Sequence, residues 1–489
     1  MKIFGIVPST ASPYLKLNIP REGLPILLTK AKKEGHQAVM VDENLEQIDF
    51  NWLRKEAAEA DLMAFSAITA TYNKTLRYLN RLRDLGIKTP AIVGGVHVTF
   101  EPEKALDDGF DFVARHEGEL MFLPFLRVLE NGGDFSEIPN LCWKKNGEKV
   151  YNPISAILPD LDRDSPFPDF LDTDLFPQWK KKRMMVIETS RSCPYRCTFC
   201  SVHPMFGRYR QRENLEAVVD EIGRIRPNFV FIIDDYFAGY KNTERSKRLM
   251  ELMLCRLDRI PYWGSQGRMD SARDPQWLKY AKRTHYDFHC GGIESSNDES
   301  LEEADKKQTV ESIERDLAAF NKMGLGHVVH ASLVVGLRGD DKYTARKLVK
   351  WMEERIPNRP QLAIVTPFPG TEFRRQLEAE GRLLPEAYNP EMCDGTHVVF
   401  IPHKMTPAEL QESWNEATKE AGSRWRSFYL TLGGISNWIK SWLLEIKNPD
   451  LLRRSFKRSV LEYRAWKTYK TLRKQNKEYT KYLKKQERK

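Results

Sequence analysis

Residues 193–200 read CPYRCTFC, which places Cys193, Cys197 and Cys200 in a CxxxCxxC pattern. Three thiols this close, in a chain with only seven cysteines, suit a soft metal centre better than disulfide bridges. A structural zinc or an ordinary [4Fe–4S] cluster takes four protein ligands, and no fourth cysteine lies nearby. Three ligands leave one metal corner open to a small molecule. That is what a reactive centre needs and a structural one avoids.

Such a loop must be carried by a rigid frame, and the surrounding sequence supplies two. Residues 1–132 alternate short apolar strands (2–9, 37–42, 62–68, 91–95 and 110–116) with amphipathic stretches such as 23–35 and 73–86. This alternation predicts an α/β domain with a doubly wound, Rossmann-like parallel sheet, which takes ligands at the carboxyl ends of its strands. Those ends carry Pro8-Ser9-Thr10, Ser66, Thr69, Gly94, Gly95, His97 and Glu117-Gly118-Glu119. PNLCWKKNGEKVYN (139–152) predicts a hairpin turning at Asn146-Gly147, and the proline-rich segment 153–177 reads as a linker. A second series has strands at 184–190, 229–234, 262–266, 288–295, 328–336 and 362–369, separated by helical segments. Six such units predict a partial (β/α)6 barrel with its chemistry at the carboxyl rim. The cysteine loop directly follows the first of these strands, where a rim loop carries a cofactor. The expected organisation is a first domain over 1–134, a hairpin and linker over 135–183, the barrel over 184–400 and a helical C-terminal region over 401–489.

Motif and order together resemble the cobalamin-binding radical S-adenosylmethionine (SAM) family over roughly residues 1–400. In that resemblance Cys193, Cys197 and Cys200 hold a [4Fe–4S] cluster whose open iron chelates the amino and carboxylate groups of SAM. An electron from the cluster then cleaves SAM to a 5′-deoxyadenosyl radical. Phe199 matches the aromatic that packs beside the SAM adenine. IDDYF (233–237) matches the segment facing the SAM amino group, with Asp234 or Asp235 the candidate contact. Arg268 after the third strand and Glu294 in GGIES sit where the SAM ribose or carboxylate is gripped. Gly336, in VVGLRGD, and TPFPGT (366–371) match the last two rim segments. Read from the residues alone, Asp234 and Asp235 also suit a helix N-cap, Arg268 also suits a pair with Asp270 or another surface carboxylate, and Gly336 also suits a turn. Tyr236 reads as a packing aromatic, and Arg208 and Arg210 of HPMFGRYRQR (203–212) suit structure as well as substrate.

The first sheet is where the resemblance places cobalamin. The signature DxHxxG, whose histidine coordinates cobalt, is absent, since no histidine precedes His36. The corrin is thus expected to bind without a histidine from that loop. Ser66, Gly94 and Gly95, with Gly118 on the next rim loop, admit its nucleotide tail, because small residues permit close approach. His97 is expected to bond a nearby carbonyl rather than cobalt. No GxGxxG follows the first strand, which argues against a dinucleotide fold.

The resemblance implies methylation of an unactivated carbon, with SAM consumed both as radical source and as methyl donor to cobalt. Relatives such as the anaerobic magnesium-protoporphyrin cyclase use the same cofactors for ring closure, and the motifs do not separate the two outcomes. A non-catalytic iron–sulfur or RNA-binding protein is the reading from another class; the open cluster corner and the ordered rim segments weigh against it. A one-electron donor such as flavodoxin or ferredoxin is implied as a partner.

The chain has 489 residues and 41% hydrophobic residues, enough for more than one core. It begins MKIFGIVPS, which reads as a strand and not a signal peptide, and the odd cysteine count fits a reducing cytoplasm. Cys142, Cys255, Cys290 and Cys393 are scattered, and most read as small buried hydrophobes. The net charge of +9 is concentrated at the C-terminus, where residues 450–489 hold 15 Lys/Arg against 4 Asp/Glu, or +11, leaving −2 elsewhere. Segment 430–446 is apolar with Trp438 and Trp442 at helical spacing; Phe456, Tyr463, Trp466, Tyr469, Tyr479 and Tyr482 interleave the basic residues beyond it. Aromatics among cations suit an interfacial helix on an anionic membrane better than nucleic acid, so the expectation is a lipid-like substrate and peripheral membrane association. A charged helix packed on the barrel is the plainer alternative.

Overall fold

The computed structural model describes residues 1–10, 19–154, 160–179, 183–356, 360–421 and 472–488. Its first sheet is built from β1 (Lys2–Val7), β2 (Gln37–Asp42), β3 (Leu62–Ser66), β4 (Ala91–Gly94) and β5 (Phe112–Ala114), all parallel in the order β2-β1-β3-β4-β5. KIFGIV and its neighbours are near-continuous apolar runs, as strands covered on both faces must be. Helices lie on both sides, and two separate apolar cores flank the sheet. The predicted hairpin forms as β6 (Leu141–Lys145) and β7 (Glu148–Tyr151), turning at Asn146 and Gly147, both at positive φ. It does not begin a linker: β6 pairs antiparallel with β5 and extends the first sheet.

Helix α1 (Gly23–Lys33) crosses from β1 to β2 and buries Leu24, Ile26, Leu28 and Ala31. Each such aliphatic contributes about 1.5–3 kcal/mol of burial. Its axis lies unusually near the sheet because β1 has Gly5 beneath it. A Cβ at Gly5 would come within 2.7 Å of Leu28 Cδ1. That close approach fixes where the start of α1 meets the strand ends.

The second sheet contains β8 (Met184–Ile187), β11 (Phe229–Ile232), β12 (Tyr262–Gly267), β13 (Tyr286–Glu294), β14 (Val329–Val335) and β15 (Gln361–Ile364). All pair in parallel and in chain order, from β8 at one edge to β15 at the other. Between the first two lie the short β9 (Ser190–Arg191) and β10 (Arg210–Gln211), an antiparallel pair on the rim. The six-unit open barrel therefore matches the expectation. Helix Pro407–Ala421 closes the β15 side, with Trp414 Nε1 donating to the Leu362 carbonyl.

The described end of the basic tail, helical over 472–486, packs on the barrel. Leu472 and Leu483 are buried, Tyr479 Oη donates to the Val398 carbonyl at 2.7 Å, and Tyr482 Oη to Glu386. Tyr479 and Tyr482 thus both make intramolecular contacts, while Tyr482 stays exposed. The remaining tail aromatics, with 430–446, lie outside the described residues. Among the described residues no helix is long and apolar enough to cross a membrane.

Candidate active site

The cysteine loop leaves β9 through Ser192, which sits at φ +71 and donates its Oγ to the Gly207 carbonyl. It is stitched to two later rim segments. Thr198 donates its N–H to the Ala304 carbonyl and its hydroxyl to that of Glu303, and the Thr198 carbonyl accepts from the Phe373 N–H. Cys193, Cys197 and Cys200 are partly buried and unbridged. Burial pushes the Cys193 thiol up to about 11 and Cys200 up to about 12, and also raises Cys197. Metal uptake must therefore expel protons from the site. Among the described residues no three His, Cys, Asp or Glu side chains are gathered closely enough for a single ion. Zinc thiolates sit about 2.3 Å from one centre, so this is not a preformed zinc site; a cluster spreads its thiolates over separate irons.

Beside the loop, Glu294 ends β13 at φ +67, an uncommon conformation for a non-glycine residue that marks a constrained position. A register shift between Gly292 and Glu294 turns its carboxylate onto Lys306 Nζ at 2.6 Å. Burial opposes the Lys306 charge, but Glu294 and the neighbouring Cys197 hold the ammonium above its ordinary range. Lys306 is a buried cation at the cluster loop that sequence reading missed; nothing in the local DKKQ run distinguished it from a surface lysine.

Several rim calls resolve differently from expectation. Asp234 accepts from Thr189 N, Thr189 Oγ1 and Ser190 Oγ, so its carboxylate ties the end of β11 to the segment leading from β8 into β9. Asp235 borders the cleft, and burial, then the charges of Glu188 and Asp234, push it up to about 7. Arg268 does pair with Asp270, but buried rather than at the surface. Its remaining N–H groups go to the Lys306 and Lys307 carbonyls, and its guanidinium stacks 4.2 Å from the Tyr195 ring centroid. It is a clamp on the cysteine loop. Gly336 takes φ +103 in a turn capped by Asp340, and a Cβ there would meet Leu410 and Phe400, away from the cleft. Phe199 packs against the barrel core. Tyr236 is buried edge-on to Tyr195 and Tyr209, as a packing aromatic should be.

Between the carboxyl ends of the two sheets lies a cleft of about 1530 Å³, its mouth included. Ser66, Gly94, Gly95 and Gly118 all line it, bringing together residues from three separate strand ends. Gly95 sits at φ +112, and a Cβ would come 2.4 Å from the Ala67 carbonyl oxygen. A Cβ at Gly94 would meet only Ala114 Cβ at 3.6 Å and would otherwise enter the cleft. On the opposite wall are Ser201 and Val202, immediately after Cys200, with Ile233 and Asp235. His97 is not on the cleft. Its ring lies 4.3 Å from Tyr72, neither nitrogen has a hydrogen-bond partner, and burial pushes it down to about 4. The expected carbonyl bond is absent, and so is any path to a ligand in the cleft.

The two walls are joined by buried charge. Arg191 donates to Glu117, Glu119 and Glu188, and Arg210 to Glu117. Arg212 donates to the carbonyls of Glu188, Leu161 and Ser165. Glu22, just before α1, is 6% exposed, and among the described residues neither of its carboxylate oxygens has a hydrogen-bond partner. Burial, then the charge of Glu188, push it up to about 8.

A parallel sheet with an emptied carboxyl edge, facing an open barrel that carries a three-cysteine rim loop, defines a two-cofactor enzyme. Residues 15–125 match the B12 binding domain family and residues 187–352 the radical SAM superfamily. A B12 binding domain followed by a radical SAM domain is the arrangement of the cobalamin-binding radical SAM enzymes, and the cofactors it supports are SAM, a [4Fe–4S] cluster and cobalamin. It is 26% identical to an uncharacterized methyltransferase of Pyrococcus horikoshii over 78% of this chain and 84% of that one. It is 24% identical to the anaerobic magnesium-protoporphyrin IX monomethyl ester cyclase of Rubrivivax gelatinosus, covering 77% and 70%. Among solved structures, the cobalamin-dependent SAM radical enzyme OxsB superposes with a TM-score of 0.66 at 16% identity, covering 96% of this chain and 71% of OxsB. The residues present fit these groups. The three thiols leave a coordination position open, and the cleft at the glycine-lined edge is also lined by Ser201 and Val202, directly after the last thiol.

Proposed function

We propose that the protein methylates an unactivated carbon of a small molecule held in the cleft between its two sheets. The observation that carries this reading is that Ser201 and Val202, immediately after the last cysteine, and the Ser66–Gly94–Gly95–Gly118 edge line one cavity. When bound, SAM and the cluster supply one-electron chemistry at carbon, and cobalamin supplies the methyl group. In this reading Cys193, Cys197 and Cys200 hold the cluster, and the Glu294–Lys306 pair fixes the charge beside Cys197. Asp235 is the acid that meets SAM, with Phe199 beside the adenine. Ser66, Gly94, Gly95 and Gly118 seat the corrin and its tail, and the salt-bridged Arg191 keeps the two walls in register while excluding water. Leu24, Leu27, Phe122 and Met205 add an apolar lining, which suits a substrate with a largely hydrocarbon, lipid-like face. A small one-electron donor such as flavodoxin or ferredoxin would serve the cluster.

Anaerobic turnover of the reconstituted protein, with S-adenosylhomocysteine quantified against 5′-deoxyadenosine, tests the reading. Substrate-dependent formation of both in near-equal amounts is expected. Deoxyadenosine alone would replace methyl transfer by another radical outcome, such as the ring closure named for the Rubrivivax relative.

A further inference from the structure

The mechanism above leaves one buried group unused. Glu22 immediately precedes α1 and is among the residues that line the cleft with Ser66 and Gly94. It is 6% exposed, and neither oxygen has a hydrogen-bond partner among the described residues. Leaving such a group unsatisfied in a native interior is costly, which calls for a partner that arrives from the cavity.

The neighbours do not supply that partner. The charges that reach Glu22 are those of Glu188, Arg212, Arg191 and Asp234. Arg191 is spent on Glu117, Glu119 and Glu188, and the Arg212 guanidinium donates to three backbone carbonyls. Asp234 is held by Thr189 and Ser190. With two acids and two already committed guanidinium groups around it, Glu22 is more stable neutral than ionised. A neutral carboxylic acid offers one O–H donor and one carbonyl acceptor side by side. The group that matches both at once is a primary carboxamide, whose carbonyl takes the O–H and whose N–H meets the acid carbonyl. The corrin of cobalamin is edged with such carboxamides.

We propose that Glu22 is a positioning residue that reads one peripheral carboxamide of the corrin through this reciprocal pair of hydrogen bonds. The inference rests on cobalamin occupying the cleft, and it adds what the glycines cannot. Glycines make room without choosing an orientation, whereas a bidentate contact fixes which edge of the macrocycle faces α1. The register of α1 on the sheet, set by Gly5 against Leu28, places the acid at that edge.

The test is the dissociation constant of the cluster-reconstituted, cobalamin-depleted full chain, read by visible-absorbance titration without turnover. The probes are cobalamin and derivatives in which a single peripheral carboxamide is hydrolysed to a carboxylate. Glu22→Leu should weaken cobalamin binding by roughly tenfold, and Glu22→Gln, which can still pair with an amide, by roughly threefold or less. One monocarboxylate derivative should bind wild type roughly tenfold more weakly than cobalamin, a difference that vanishes in Glu22→Leu. Equal binding of cobalamin by wild type and Glu22→Leu would overturn the proposal, as would equal binding of every derivative by wild type. The derivative series on wild type decides the matter even if Glu22→Leu fails to fold. Wild type that binds no cobalamin at all would instead remove the cleft assignment itself.

Discussion

The two walls of the cleft are built on opposite principles. The wall from the first sheet is lined by small residues: Gly94 and Ser66 leave room at the strand ends, while a Cβ at Gly95 or Gly118 would strike Ala67 or Leu27. The barrel wall is filled with charge and satisfied internally, with Arg191 paired to three carboxylates, Arg268 committed to Asp270 and two carbonyls, and Asp234 taken by Thr189 and Ser190. One wall makes room for a large rigid cofactor. The other holds a thiol loop in place, where a small displacement would misalign reacting atoms. Glu22 stands at the seam, a barrel-like acid on the emptied wall.

The sharpest separation of the walls is Cys197→Ala. Iron and sulfide content and turnover should fall to background, while cobalamin affinity stays within about twofold of wild type, as expected for distant independent sites. A parallel collapse of cobalamin binding would show that the walls are not independent. Arg191→Met should come next. It strands Glu119 and Glu188 without their cation, leaves Glu117 with Arg210 alone and should cost about 3–5 kcal/mol in denaturant unfolding, with an unchanged m-value. A loss below about 1 kcal/mol would place the network among solvent-screened ion pairs.

On the emptied wall, Gly95→Ala should lower stability by about 1–3 kcal/mol, because φ +112 and the Ala67 carbonyl both oppose a Cβ. Gly94→Val should leave the melting temperature nearly unchanged and weaken cobalamin binding instead. If both variants lost only stability, this edge would be structural and not a cofactor seat.

A pH slope in stability is also expected. Glu22 has a folded pKa raised from 4.5 to about 8, so the folded chain holds a proton that the unfolded chain releases. The associated stability is fully present below pH 4.5 and is lost as pH rises through about 8, at no more than about 1.4 kcal/mol per pH unit. Asp235, raised to about 7, adds a slope of the same sign. Melting of the cofactor-free protein should therefore show Glu22→Gln gaining on wild type as pH rises from 5 to 8. A difference that is flat across that window would mean Glu22 is ionised and solvated.

How much was legible follows the same division. Parallel strands announce themselves as apolar runs, and a glycine at a strand end has one main physical meaning, so both sheets, the cysteine loop and the recess residues were readable. Buried polar residues are ambiguous in sequence. Asp234, Arg268 and Gly336 occupy rim positions in sequence order, yet their groups are consumed by the frame. Glu22 carried no signal, since it sits among polar residues of a connecting segment. Tyr479 and Tyr482 looked like membrane anchors because aromatic–basic interleaving is the same on a lipid surface and on a protein one.

The chain alone determined the order of elements, the three-thiol centre beside the first barrel strand and the absence of a histidine before His36, because these depend on residue types and short spacings. Tertiary structure decided which charges meet. Glu117 reaches Arg191 and Arg210 across 74 and 93 residues, Lys306 reaches Glu294 through a shifted β13 register, and Glu22 is left without a partner among the described residues. Those outcomes depend on long-range geometry and on competition for hydrogen bonds in a dry interior, where a polar group is spent on whichever partner the fold brings within 3 Å of it.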